Sequence, residues 1–220
     1  MESKRLRVPT EKVYDQAHAL AYKLACERLA KIDDIEQQCQ KSGAQCRVID
    51  SRKEITIQYL NQSYLISLPN IEVSIVDSVE KIPIREKLLI LHYFITAKGT
   101  LVSNRLITFR ELPEGKVYSP TFAKRTIKPL VDCFGQEPDL LLDAGARLGG
   151  RKVDYGDIAM TINAFSRVPI TIILWRGDSE FAAQANVVFD ATISDYLPTE
   201  DITVLCETIT WKLVRSIKRA

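Results

Sequence analysis

The chain has 220 residues, of which 46% are hydrophobic and 26% charged, so it can bury one substantial core and lies far from a disordered composition. Its 30 basic and 28 acidic residues leave a formal net charge of +2. A balance that close to zero argues against capture of nucleic acid or anionic lipid by the surface as a whole.

In chain order, the first signal is an amphipathic helix over 11–41 with one break, its apolar positions recurring at three- and four-residue steps from Val13 to Ile35. Thr10 is its expected N-cap and Gly43 its stop. The period then changes to two. The words RVID, EITIQYL, YLISL and IEVSIV predict four short strands with a hairpin turn at NQS (61–63), and alternation puts Ile55, Ile57 and Tyr59 on one face. Residues 84–98 predict a nearly all-apolar, central helix ended by Gly99. RLITFREL (105–112) reads as a strand, PEGK as a turn, and 119–134 and 137–148 as helices separated by Gly135. IAMTINAF and PITIILW are strands joined by a turn near SRVP (166–169). A loop containing VVFD then leads to a last helix over 200–218, capped by Thr199.

Strands outnumber clean strand–helix alternations. The expected class is therefore α+β: an antiparallel or mixed sheet packed with a long N-terminal helix, a central apolar helix and a C-terminal helix. No repeat or linker divides the chain, which predicts a single domain over 1–220, with 1–83 as a possible helix-plus-meander subdomain and 84–220 as the remaining α+β region.

The charged start lacks the apolar core of a secretory signal, and the longest apolar-dominated run, LLILHYFITA (88–97), is too short to span a bilayer. Five cysteines, irregularly spaced, fit reduced thiols better than a disulfide framework. A cytoplasmic location without a membrane span is the expectation.

Phosphate-cradling glycine motifs, a nucleophile elbow and zinc-ligand spacings are all missing, and no cofactor or metal is implied by any motif. His92, inside LLILHYF, reads as a hydrogen-bonded core residue. The remaining chemistry lies in carboxylates. If the two strands flanking SRVP pair antiparallel, Asp157 before the first falls at the same open end as Asp178 and Glu180 after the second. Such a cluster could hold a divalent cation or work as acid and base. The competing reading is that Gly-Asp steps here only build turns. Arg110, Lys124, Arg125 and Lys128, mixed with Tyr118 and Phe122, have a composition permissive for single-stranded nucleic acid, but they are few and Glu111 and Glu114 lie among them. Nucleic acid is the disfavoured partner.

The words FRELPEGKVYSPTF, LGG followed by YGD, RVPITIILWRGDSEFAAQANVVFD and YLPTED occur in this order. From residue 84 onward the chain thereby resembles an uncharacterised domain-of-unknown-function family, number 3786, of anaerobic bacteria and archaea. The resemblance implies an intracellular protein tied to corrinoid or iron–sulfur one-carbon metabolism, some relatives resembling fusions to a four-cysteine iron–sulfur module. The four-cysteine run of such modules is absent here, and Ser166 stands where the family pattern has proline. The same words coincide with candidate loop ends. Convergence of these ends would make a ligand site from Arg110, Glu111, Asp157, Trp175, Asp178, Glu180, Phe181 and Asp190, with Phe189 as a further aromatic wall. The expected function is a non-catalytic accessory protein that binds a small molecule or a protein partner. The alternative is an enzyme acting through Asp157, Asp178 and Glu180.

Overall fold

The structure is a computed structural model that describes residues 11–50 and 52–217, with side chains from residue 17 onward. The first helical segment is two helices, α1 (Glu11–Leu29) and α2 (Ile35–Ser42). The expected cap Thr10 lies outside the described residues. Asp34 caps α2 by accepting the Gln37 N–H at 2.8 Å, and Gly43 ends it in the left-handed region, at φ 66°. Four antiparallel strands follow: β1 (Gln45–Ile49), β2 (Arg52–Tyr59), β3 (Gln62–Leu68) and β4 (Glu72–Ile75). The β2–β3 turn is made by Leu60 and Asn61, both at positive φ, and Ile55, Ile57 and Tyr59 are buried on one face as alternation requires.

The central helix α3 (Ile84–Thr96) is followed by β5 (Leu106–Thr108), only three residues long. The longer strand expected over 105–112 is interrupted by a capping box. Glu111 accepts the Thr108 N–H at 2.7 Å and the Thr108 hydroxyl at 2.8 Å, winding residues 109–111 into a 3-10 turn. The PEGK turn is also shorter than expected, because α4 (Gly115–Phe122) starts inside it. A Cβ at Gly115 would lie 2.0 Å from the Phe109 carbonyl oxygen, so only glycine lets the chain double back there. Helix α4 contains Pro120 and passes without a break through a π-helical turn, 123–127, into α5 (Lys128–Phe134). Pro120 cannot complete the α-helical ladder, and the widened turn follows directly.

After α6 (Leu140–Ala146) come β6 (Arg151–Val153), β7 (Ile158–Phe165), β8 (Val168–Trp175) and β9 (Gln184–Asp190). Strand β9 replaces the loop expected around VVFD. It lacks a two-residue alternation because its last four residues are all buried, as suits a strand covered on both faces. All ladders are antiparallel, in the order β4-β3-β2-β7-β8-β9-β5, with β1 beside β2 and β6 beside β7. The final helix is α7 (Thr199–Ile217). Thr199 is its first residue and not a cap: its hydroxyl donates to the Pro113 carbonyl at 2.6 Å. The class is α+β, with a nine-stranded antiparallel sheet.

The two halves of the sheet meet at one register pair, Tyr59 with Phe165, reinforced by the Leu60 N–H donating to Ala164 at 3.0 Å. At this joint Phe165 stacks on Tyr93 of α3 with ring centroids 4.0 Å apart and lies 4.9 Å from the Tyr59 ring. Buried residues of the meander, α3, β7–β9 and α7 form one contiguous apolar cluster. Helices α3 and α7 run antiparallel, linked by two ion pairs, Glu86–Lys212 at 3.1 Å and Arg85–Glu207 at 2.9 Å, and by a hydrogen bond between His92 and Asp201 at 2.7 Å. Among the described residues no helix is long and apolar enough to cross a membrane.

Candidate functional site

The β7–β8 hairpin forms as expected, with Phe165 paired to Val168 across Ser166 and Arg167 and Ile158 paired to Leu174 at the open end. Asp157 and the Arg176–Phe181 loop are therefore neighbours. Asp157 donates its N–H to the Leu174 carbonyl at 3.0 Å, and its carboxylate accepts the Arg176 N–H at 2.7 Å. The Arg176 guanidinium reaches Asp139 at 3.1 Å, and the Gly177 N–H donates to Gly135, so this loop rests on the junction between α5 and α6.

Asp178 lies beyond that contact and folds onto its own loop. It accepts the N–H of Phe181 at 2.7 Å and of Glu180 at 2.8 Å, while its own N–H donates to the Phe181 carbonyl at 2.9 Å. These two donors, Phe181 first, hold its carboxyl below the usual carboxylate range. Glu180 and Phe181 are exposed, and Trp175 is 39% exposed. Two of the three carboxylates are thus engaged by backbone N–H groups of the loop they shape. Among the described residues no group of three or more His, Cys, Asp or Glu side chains is placed to hold a metal ion.

The other expected members lie elsewhere. Asp190 ends β9, six residues beyond Gln184, which pairs with Trp175. At the rise of an extended strand this is about 20 Å from the open end. Asp190 is 2% exposed, and one of its oxygens accepts the N–H and hydroxyl of both Ser103 and Thr192, at 2.7–3.1 Å. Burial alone would raise its carboxyl. The donors of Thr192, then Ser103, outweigh burial and hold it below the usual range. Glu111 is exposed and committed to the capping box, which lowers its carboxyl through the Thr108 N–H and then its hydroxyl. Arg110 is exposed on the same turn, and Phe189 is fully buried. Of the eight residues, Asp157, Trp175, Asp178, Glu180 and Phe181 share one end of the sheet, Asp190 lies at the far end of β9, and Arg110 and Glu111 sit on the 3-10 turn after β5.

A broad concavity lies on the helical side. A cleft of about 930 Å³ opens between the first turn of α3, α4 with its π-helical turn, and α7, with His18 of α1 at its margin. Arg85, Arg125, Tyr118 and Glu207 are among its walls, and a smaller recess of about 260 Å³ adjoins it, sharing Pro83, Arg85 and Glu207 and adding Trp211. Glu207 is clasped from two sides, by Arg85 at 2.9 Å and by Arg125 at 3.7 Å. Arg125 and Tyr118 belong to the set with a composition permissive for nucleic acid, which the fold disperses. Phe122 stacks on Phe109 in the core at 3.9 Å, and Lys128 pairs with Asp132 at 2.7 Å. His92 pairs with Asp201 and is partly buried, between α3 and α7.

The family model described as Domain of unknown function (DUF3786) matches residues 34–211. The chain belongs to this family. The match begins well upstream of residue 84, so the β1–β4 meander lies within the family region and residue 84 does not divide family from non-family sequence. Every wall of the cleft except the α1 margin and the very end of α7 falls inside the matched region. No curated protein and no solved structure matches the chain.

Proposed function

We propose that this family member is a non-catalytic binding protein, and that a small molecule enters the cleft between α3, α4 and α7. The observation that carries this reading is the cleft itself. Its volume of about 930 Å³ lies within the range of ligand pockets, and three separate elements hold its charged walls in place. The enzyme reading through Asp157, Asp178 and Glu180 has less support, since a general acid at neutral pH needs its carboxyl raised and the N–H donors at Asp178 act in the opposite direction. Free Cys26, Cys39, Cys46 and Cys206 support a reducing, cytoplasmic setting. The corrinoid or iron–sulfur link implied by the resemblance supplies probes for the test.

The test is a thermal-shift screen with corrinoids, divalent metals, organic anions and neutral metabolite analogues, run in parallel on wild type and Thr121→Trp. Thr121 is exposed on the cleft wall, so the indole narrows the cleft without entering the core. A ligand that raises the melting temperature of wild type and not of Thr121→Trp supports the reading, because only binding to the folded state stabilises it. Equal shifts in both proteins overturn it.

A further inference from the structure

The arrangement around Glu207 assigns a ligand class to this cleft. We infer that the cleft takes a small multivalent anion, bearing phosphate or carboxylate groups, between Arg85 and Arg125, and that Glu207 is the internal carboxylate occupying this clamp until the ligand displaces it. The inference rests on the binding role proposed above.

Two guanidiniums face one carboxylate in the clamp, and Glu200 is a second acid in the cleft wall. They come from opposite walls, Arg85 from the first turn of α3 and Arg125 from the π-helical turn after α4. Only Arg85 hydrogen-bonds Glu207, at 2.9 Å. The Arg125 separation of 3.7 Å is too long for a hydrogen bond, and among the described residues its guanidinium donates none. A guanidinium carries a planar fork of N–H donors suited to phosphate or carboxylate oxygens. Among the described residues this fork makes no hydrogen bond, and it stands in a cleft wall beside an open volume.

Exposure indicates the order of contact. The Glu207 side chain is 18% exposed, against 40% for Arg85 and 52% for Arg125, so an anion entering from solvent meets the arginines before the glutamate. The first turn of α3 forms the same wall and has no side-chain cap at Pro83; its own acid, Glu86, pairs with Lys212 at 3.1 Å. A ligand with several anionic oxygens can satisfy both forks at once. Glu207 reaches hydrogen-bonding distance of only one.

The competition makes an unusual demand: removing an acid must tighten anion binding in a position-specific way. Affinities for pyrophosphate and for citrate, measured by calorimetry at constant ionic strength, separate phosphate from carboxylate recognition. The proteins are wild type, Glu207→Gln, Glu200→Gln and Arg125→Ala. Glu200 lines the same cleft and takes no part in the clamp, so its variant reports the general effect of one negative charge fewer. Glu207→Gln should bind at least one of the two anions about tenfold more tightly than wild type, Glu200→Gln by about twofold at most, and Arg125→Ala about tenfold more weakly. Equal gains from the two glutamine variants overturn the inference, as does absence of binding to every protein. Should a neutral ligand show a shift that Thr121→Trp abolishes while both anions fail, the anion assignment falls and the binding role stands. Ligands indifferent to Thr121→Trp remove both.

Discussion

Phe165→Ala strikes the one place where the two halves of the sheet meet. The ring is 1% exposed, stacks on Tyr93 at 4.0 Å with planes 9° apart, and lies 4.9 Å from Tyr59. Removing a buried phenylalanine leaves a cavity and typically costs about 3–5 kcal/mol, to which lost ring pairing contributes about 0.5–1.5 kcal/mol per aromatic partner. Because Tyr59–Phe165 is the only register pair between β2 and β7, with the Leu60–Ala164 hydrogen bond beside it, the joint has little else to absorb the loss. We therefore expect about 4 kcal/mol of destabilisation, or a melting temperature lower by roughly 8–16 °C for a chain of this size. Urea unfolding of wild type, Phe165→Ala, Tyr93→Leu and the double variant supplies the check, with a coupling of about 1 kcal/mol expected between the two rings. A loss below about 1.5 kcal/mol for Phe165→Ala, or zero coupling, would refute the idea that this stack fastens the joint.

Two further predictions concern the carboxylates. Asp190 has a depressed carboxyl pKa in the fold, so its stabilisation is present in full above the unfolded carboxylate range, near pH 4, and fades as pH falls through the lower folded value. Asp190→Asn should cost about 1–3 kcal/mol at neutral pH and flatten the acid limb of the stability profile measured by urea titration; an unchanged acid limb would contradict this assignment. At the hairpin's open end, Asp178→Ala should accelerate amide exchange at Glu180 and Phe181 by releasing their acceptor, while leaving the urea unfolding midpoint unchanged. The same variant and wild type should give identical heats on titration with Mg²⁺, and a binding heat lost on substitution would restore the acidic site.

Local pattern carried a good part of the fold. The alternation of Ile55, Ile57 and Tyr59 marks β2, the two runs around SRVP mark β7 and β8, and the apolar spacing of Ile202, Leu205, Ile209 and Leu213 marks the buried side of α7. Elements that depend on their neighbours were hidden. In β9 the exposed Gln184 is followed by two half-buried residues and then a fully buried run, so neither strand nor loop has a clear period. Helix α4 starts among Pro, Glu and Gly and contains Pro120, all local signals for a turn. The hairpin's juxtaposition of Asp157 with the Arg176 loop was legible, because adjacent strands with a two-residue turn fix which ends meet. That the carboxylates there would be spent on backbone N–H groups was not. The cleft was beyond local reading altogether: Arg85 and Glu207 are separated by 122 positions, and only the antiparallel packing of α3 on α7 makes them a pair. Arg125 and Tyr118 did stand out by composition, although spacing could not say that they line a cleft while Phe122 and Lys128 leave it.

The most direct measurement uses Trp211, which lines the recess adjoining the clamp and is one of only two tryptophans in the chain. In a Trp175→Phe background it is the sole indole, so fluorescence during a pyrophosphate or citrate titration reports this corner of the molecule. Occupation of the cleft predicts a saturable change for at least one anion, lost when Arg125→Ala is added. A flat response to both, or a response that Arg125→Ala leaves intact, would contradict anion binding between Arg85 and Arg125.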